Sequence, residues 1–260
     1  MLTTPPRILI ALATYNERDN LAPLVEAIRT TAPQADILIL DDNSPDGTGA
    51  AADALAAQEP RIHVIHRPGK LGLGTAVLTI MRHAMKRNYD WLLTMDADFS
   101  HHPRYLPELL QRKDQVDVMI GSRYVAGGGV ENWPLSRRLM SRATGGLVRL
   151  LLGLPLRDTS GNYRCYRVSL LRRANLDHFV SQGYSFLQEV LHRCHLAGAR
   201  FGETPIVFAD RRAGETKANL KEIVGSMSAL LRLGWRAQFH AASMMPTASA
   251  ENTPPTRGAA

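Results

Sequence analysis

The chain has 260 residues, 45% of them apolar and 21% charged, and a net charge of +7. These values suit one α/β domain able to bury a sizeable core and exclude a disordered or fibrous chain. The charge is uneven: residues 1–120 carry 12 Lys/Arg against 15 Asp/Glu, whereas residues 121–240 carry 18 against 8, so the second half points to anionic partners.

Residues 7–13 form a continuous apolar run, the pattern of a strand buried on both faces of a parallel sheet. Thr14-Tyr15-Asn16-Glu17 follows as a polar loop. Asn20 is expected to cap a helix carrying Leu21, Leu24, Val25 and Ile28 at helical spacing. A second strand, 36–40, leads into Asp41-Asp42-Asn43-Ser44-Pro45-Asp46-Gly47-Thr48. An Ala-rich helix to about Gln58 precedes a third strand, 62–66. The glycine-rich loop 67–74 comes next, then a helix ending near Arg87. A fourth strand, 89–93, delivers Asp96 and Asp98. This βαβαβαβ order predicts a twisted, mostly parallel sheet with its ligand at the carboxyl ends of the strands, where every one of these polar segments falls. Pro103 opens a short helix, and Val116 to Gly121 is a further strand ending in Ser122-Arg123-Tyr124. Gly127-Gly128-Gly129 reads as a hinge or lid. Pro134 opens a long helix to about Leu154 with Arg138, Arg142 and Arg149 on one stripe. Asp158 to Arg164 reads as a polar turn, and a last amphipathic helix carries Leu220, Ile223, Val224 and Met227. The expected division is a single catalytic domain over residues 1–236 and a disordered tail over 237–260.

Cys165 and Cys194 have no metal-ligand spacing and read as small core residues, in keeping with a reducing compartment. No secretory signal is expected from the stretch before Arg7, and no window offers the roughly 18 to 20 apolar residues needed to span a bilayer.

Asp96 and Asp98 stand one residue apart after a strand. Alternate side chains of an extended backbone share a face, so the two carboxylates repel unless a cation lies between them. Hard divalent cations that keep positions for substrate phosphates are bound by one or two carboxylates in this way. A lone Asp-x-Asp is equally an acidic turn. The run from Asp42 to Asp53 imitates a calcium loop, but a strand precedes it and Pro45 interrupts it. The 69–74 loop matches neither a dinucleotide fingerprint nor a Walker motif. His101 and His102 read as packing at a helix start.

Taken in order, Tyr15-Asn16-Glu17, Asp41-Asp42-x-Ser44-x-Asp46-Gly47-Thr48, Lys70-x-Gly72-x-Gly74, Asp96-Ala97-Asp98-x-Ser100-His101-His102-Pro103 and Gly121-Ser122-Arg123-Tyr124 resemble the family 2 inverting glycosyltransferases. Within them the chain is similar to the dolichol-phosphate (polyprenol-phosphate) mannosyltransferase branch of catalytic-domain-only type. The likeness continues through Trp133-Pro134-x-x-Arg137-x-x-x-Ser141, Asp158-Thr159-Ser160-Gly161-x-Tyr163-Arg164 and Phe208-x-Asp210-Arg211-x-x-Gly214-Glu215-Thr216-Lys217, covering about residues 7–236. Ala13 departs from it, standing where the family has proline.

The resemblance implies a Rossmann-like, mostly parallel sheet flanked by helices, of the GT-A glycosyltransferase type. It implies that Tyr15, Glu17, Asp41, Asp42, Lys70 and Asp96 hold the nucleotide-sugar, and that Asp96, Asp98 and Ser100 hold a divalent metal, Mg²⁺ or Mn²⁺. Arg123, Arg137, Ser141, Arg211 and Lys217 would hold the acceptor phosphate, with Asp96, Asp98, Arg123 and Arg211 as the catalytic set. The implied reaction moves mannose from GDP-mannose to polyprenyl or dolichyl phosphate. Another sugar from another nucleotide is the first alternative. A nucleotidyltransferase, or a basic protein binding membrane or nucleic acid, is the second. Sparse aromatic residues, 6%, speak against nucleic acid. The expected location is the cytoplasmic face of a membrane, reached through the surface of the 135–154 helix or through an anchoring partner protein.

Overall fold

The computed structural model describes residues 5–177, 179, 181 and 185–209. The apolar runs form β1 (Ile8–Thr14), β2 (Asp36–Asp41), β3 (Ile62–His66) and β4 (Trp91–Asp96). Between them lie α1 (Arg18–Thr31), α2 (Thr48–Gln58) and α3 (Leu73–Lys86). All four strands are parallel, in the spatial order β3-β2-β1-β4. Because both faces are covered, residues along β1 alternate between two cores. Leu9 and Ala11 pack with Val77, Ile80 and Met81 of α3 on one side, and Ile8, Ile10 and Leu12 pack with Leu21, Leu24 and Ile28 of α1 on the other.

After β4 a 3-10 turn at Pro103–Tyr105 leads into α4 (Leu106–Arg112) and β5 (Val118–Ser122). β6 (Gly129–Val130), α5 (Leu135–Leu152), β7 (Arg164–Arg167), α6 (Val168–Arg173), α7 (Ser185–Leu196), β8 (Phe201–Pro205) and β9 (Val207–Phe208) complete the described elements. The main sheet has seven strands in the order β3-β2-β1-β4-β7-β5-β8. β7 runs antiparallel to both neighbours, and β5 and β8 pair in parallel. The sheet is thus mostly parallel, as the sequence order predicts.

Four local expectations change. Asn20 does not cap α1: its backbone N–H and that of Leu21 donate to the Glu17 carbonyl at 3.1 and 2.9 Å, so the helix starts at Arg18 with Glu17 as cap. Asn20 instead donates its side-chain N–H to Glu17 Oε2 at 2.8 Å. Residues 127–129 are no hinge, because Gly129 opens β6, which pairs in parallel with β9. Gly128 lies so close to the preceding chain that a Cβ there would meet the Ser122 carbonyl oxygen at 2.5 Å, which only glycine avoids. The segment 158–164 is a turn only as far as Tyr163, and Arg164 begins a strand. The long helix stops at Leu152, where Gly153 takes the left-handed conformation at φ 64°. The amphipathic helix expected around residues 220–227 and the tail lie outside the described residues.

Asp117 fastens the end of the sheet away from the motif loops. It accepts from Arg167 Nε at 3.0 Å and from Arg200 Nε and backbone N–H at 3.1 and 3.0 Å. Hydrogen bonding from Arg200 above all, joined by Arg167 and opposed by partial burial, holds its pKa near 2 against an ordinary 3.8. A depressed carboxylate contributes its stability in full above the unfolded-chain value and loses it as pH falls through the folded one. Urea midpoints measured across pH should therefore decline as pH falls from about 4 towards 2, and Asp117→Asn should flatten that limb.

Candidate active site

Parallel register brings the strand ends level. Thr14 lies opposite Asp41, Ala13 opposite Asp96, and Asp41 opposite His66, so the loops after β1, β2, β3 and β4 all leave from one rim. The β2 loop is pinned at Asp41, which is buried and accepts from Ser44 Oγ at 2.5 Å, Ser44 N at 3.0 Å and Thr14 Oγ1 at 3.2 Å. Ser44 Oγ in turn accepts from the backbone N–H of Asn16 at 3.0 Å, tying the β1 loop to the β2 loop. Asp46 accepts from Thr48 N and Oγ1 at 2.9 and 2.6 Å and from Arg18 N at 3.1 Å. These bonds hold its pKa below the ordinary value, against its slight burial. Exposed Lys70 rests its ammonium 4.2 Å from the Tyr15 ring centroid.

Asp42 faces a cation that the sequence reading did not single out. Arg67, directly after β3 and buried with it, donates from Nε and Nη2 to the two Asp42 oxygens, each at 2.5 Å. It also donates to Thr75 Oγ1 at 2.7 Å, so the fork ties the β2 loop to the first turn of α3. At that turn Gly72 takes φ 90°, a conformation that glycine adopts without penalty.

The carboxylate pair is built differently from the sequence expectation. β4 extends to Asp96 but not beyond it, and Phe99 takes φ 62°, so a tight turn rather than strand alternation places Asp98. Asp96 is half-buried and accepts from Asn162 Nδ2 at 3.1 Å. Asp98 is buried and accepts from Ser100 Oγ at 2.5 Å and Ser100 N at 3.1 Å. Buried Ser100 thus directs its hydroxyl proton at Asp98. Among the described residues no three His, Cys, Asp or Glu side chains converge on one point. Two carboxylates and a hydroxyl are all hard oxygen donors, and a pair of carboxylates leaves positions for phosphate oxygens, so the donor set fits Mg²⁺ or Mn²⁺ and not a soft metal.

His101 is a positioning group in this arrangement and His102 a cap. His101 Nδ1 accepts from the backbone N–H of Asp96 at 3.0 Å, and its ring stacks on Tyr163 at 5.1 Å. Because Nδ1 accepts, the ring carries its proton on Nε2, and complete burial pushes its pKa below the ordinary value against the pull of Asp96 and Asp98. His102 Nδ1 accepts from the backbone N–H of Arg104 at 3.1 Å.

Phe208 joins this side to a cationic one. Its ring lies 5.4 Å from His101, 5.8 Å from Trp133 and 5.4 Å from the guanidinium carbon of Arg123. Arg123 is buried and bound to buried Asp158, Nε to Oδ2 and Nη2 to Oδ1, both at 2.8 Å. Burial alone would raise the Asp158 pKa, but Arg123 outweighs it and holds the carboxyl near 2. Arg137 stacks on Trp133 at 3.9 Å, and Tyr124 OH and Ser141 Oγ lie 2.6 Å apart. Arg123, Arg137 and Ser141 therefore cluster around two aromatic rings. Arg211 and Lys217, named with them, lie outside the described residues, as does Asp210. Both cysteines are buried thiols with pKa values pushed to about 12 by burial, as expected of core residues.

The glycosyl transferase family 2 model matches residues 9–174, more than half of the chain. The chain belongs to glycosyl transferase family 2. It is 44% identical over 211 residues to the undecaprenyl-phosphate mannosyltransferase of Micrococcus luteus, covering 81% of this chain and 87% of the relative. It is 41% identical over 235 residues to the polyprenol monophosphomannose synthase of Mycolicibacterium smegmatis, covering 90% and 89%. Among solved structures, glucosyl-3-phosphoglycerate synthase of Mycobacterium tuberculosis with Mn²⁺, UDP-glucose and phosphoglyceric acid superposes with TM-score 0.64 at 17% identity, covering 89% of this chain and 80% of that one. A Pyrobaculum calidifontis mannosyltransferase with GDP-Man and Mn²⁺ gives 0.55 at 16% identity, covering 94% and 77%. At these identities the structures support the fold. The enzyme is a glycosyltransferase.

Arg67, Asn162 and Asp158 take part in the site, and sequence reasoning gave none of them a role there, although Asp158 opens one of the motifs. Arg67 had one available signal, a cation directly after a strand beside a loop rich in carboxylates. Removing one partner of a buried, doubly hydrogen-bonded pair leaves the other charge uncompensated, so Arg67→Met should lower the unfolding free energy by about 3–5 kcal/mol. Chemical denaturation measures this, and adding Asp42→Asn to Arg67→Met should restore part of the loss.

Proposed function

We propose that this glycosyltransferase moves a mannosyl group from GDP-mannose to a polyprenyl phosphate, giving a β-linked lipid-phosphate sugar. The observation that carries the reading is the continuous packing from Asp96 through His101 and Phe208 to Arg123, Trp133 and Arg137. It sets a carboxylate pair suited to a metal-diphosphate beside a cluster of arginines suited to a second phosphate. The two relatives above 40% identity, both named for polyprenol-phosphate mannosyl chemistry, supply the sugar and the acceptor class.

A lipid monophosphate carries about −1.5 to −2 charges near neutral pH, so the nucleophile arrives ionised and needs no general base. The difficulty is bringing it to an anionic donor. Asp96, Asp98 and Ser100 would hold a divalent metal, Ser100 also fixing Asp98, and that ion would neutralise the leaving diphosphate. Asp41, Asp42, Tyr15, Glu17 and Lys70 form the nucleotide side of the rim. Arg123, Arg137 and Ser141, with Arg211 and Lys217 from the sequence motif, hold the incoming phosphate, arginine offering planar forks to its oxygens. A phosphate oxygen attacks the anomeric carbon opposite the diphosphate. The new C–O bond forms as the bond to the β-phosphate oxygen breaks, which inverts the configuration.

Purified enzyme given Mg²⁺ or Mn²⁺ and a panel of nucleotide-sugars, with and without polyprenyl phosphate, should yield lipid-linked mannose from GDP-mannose alone. Transfer from another nucleotide-sugar, or to another acceptor, would replace this reading. Asp98→Asn keeps the side chain's shape and removes its charge, so turnover should collapse while the unfolding transition persists. Full turnover at limiting metal would remove the carboxylate clamp from the mechanism.

We infer further that the enzyme works at the cytoplasmic surface of a membrane. No helix among the described residues is long and apolar enough to cross one. α5 turns Arg137, Ser141, Val148 and Leu152 inward and carries Arg138, Arg142 and Arg149 on the flank beside them. Its outer face shows Leu135 (71% exposed), Leu139, Met140, Leu147 and Leu150 (81%). Leu154 is buried beyond the helix end and Leu151 packs against the core, so neither joins this face. An apolar arc bordered by arginines is the pattern of a helix lying in the membrane plane, and each arginine adds about 1 kcal/mol near anionic lipid. Flotation with anionic vesicles should weaken in high salt and with Arg138, Arg142 and Arg149 changed to Gln. Flotation indifferent to both, or none, would point to an anchoring partner protein.

A further inference from the structure

Arg123 is gripped along one edge. Asp158 takes Nε–H and one Nη2 hydrogen, and Ser160 Oγ takes the other Nη2 hydrogen at 2.7 Å. Tyr124, Trp133 and Phe208 close round the guanidinium, their ring centroids 5.2, 5.7 and 5.4 Å from its central carbon. Among the described residues nothing accepts from Nη1.

The carboxylate that grips it is itself fixed. Asp158 Oδ2 also accepts from the backbone N–H of Arg123 at 3.0 Å, and Oδ1 from those of Ser160 and Gly161 at 3.3 and 3.1 Å. Behind it, the backbone N–H groups of Arg157 and Asp158 donate to the two oxygens of Glu203 on β8, at 2.8 and 2.9 Å. The line from Glu203 through Asp158 to Arg123 therefore hangs from the sheet and not from a loop alone.

A carboxylate against a phosphate-binding arginine lowers its attraction for any anion, so this pairing does not serve affinity through charge. What two parallel hydrogen bonds on a planar fork do supply is direction, because they stop the guanidinium from turning. We propose that Asp158 is a positioning residue for the acceptor: it aims the Nη1 edge of Arg123 at the phosphate of polyprenyl phosphate, with Ser160 as a second stop and Glu203 as the brace. This inference rests on Arg123 being an acceptor-phosphate ligand, and the test separates the two.

Steady-state kinetics on the full chain, varying polyprenyl phosphate at saturating GDP-mannose and then the reverse, read the effect. Asp158→Asn should raise the acceptor KM by about tenfold to a hundredfold, as loss of an oriented charge-assisted hydrogen bond does, with the donor KM unchanged. Ser160→Ala should shift the acceptor KM in the same direction by a smaller factor. A purely structural role would lower the active fraction or move both KM values together. In an Arg123→Ala background, Asp158→Asn should have no further effect on the acceptor KM, since it acts through that side chain. If Arg123→Ala leaves the acceptor KM unchanged, the reading of Arg123 as a phosphate ligand fails. If Arg123→Ala raises it but Asp158→Asn and Ser160→Ala do not, or if the effects add in the double variant, the positioning role is overturned and the ligand role stands. Should Asp158→Asn fail to fold, Ser160→Ala and Glu203→Gln make the same comparison.

Discussion

The parallel register of β2, β1 and β4 is the constraint on which the rest depends. It sets Thr14 opposite Asp41 and Ala13 opposite Asp96, so that three chain segments end at one level. Strands buried on both faces have no tolerance for slippage, since a shift of one residue would exchange the two cores served by Leu9 and Ile10. The apolar packing of the sheet thus fixes where the polar loops begin. Only because that is fixed can Ser44 reach both Asp41 and the Asn16 backbone.

The loops themselves are held by polar contacts that the sheet makes affordable. Asp41, Asp42, Asp98 and Asp158 are all buried, and each is met by donors: hydroxyls and N–H groups for Asp41 and Asp98, an arginine fork for Asp42 and Asp158. A buried carboxylate without such partners would be costly. The satisfied ones instead act as local rivets. One consequence is a division of labour. Asp96 stays half-buried beside Asn162 and Lys70 exposed over Tyr15, while their buried neighbours hold the backbone that presents them.

What the sequence made legible follows from range. Strand runs of five to seven apolar residues, helical spacing in α1 and α3, and polar motifs directly after strands are local patterns, and the element order and site rim could be read from them. The pairings across the fold could not. Asp42 and Arg67 are 25 residues apart and Arg123 and Asp158 are 35 apart, with no periodicity joining them. β7 escaped because it has four residues with arginine at both ends, Arg164-Cys165-Tyr166-Arg167, and its burial comes from sitting between β4 and β5. The glycines at 127–129 read as freedom, whereas the close approach of Gly128 to the Ser122 carbonyl makes them a constraint. Strand alternation does not account for the position of Asp98, since β4 ends at Asp96 and the turn at Phe99 sets it.

The basic second half also changes meaning once the pairings are known. Of its arginines, Arg193 answers Glu189, Arg167 and Arg200 share Asp117, and buried Arg164 donates to the carbonyls of Thr159 and Leu187. These hold the fold, so net charge overstates what is available to an anion. α5 carries a further group of cations: Arg137, stacked on Trp133, stands on the inward face, and on the flank Arg138 donates to the carbonyls of Trp133 and Val130 while Arg142 and Arg149 are exposed. One helix therefore carries both the cluster suited to a phosphate and the surface suited to the lipid layer that would present it. Because Arg137 and Arg138 are successive residues, the phosphate side and the lipid side lie within about one turn of each other. A headgroup-level phosphate could then reach the rim while its chain stays in the membrane.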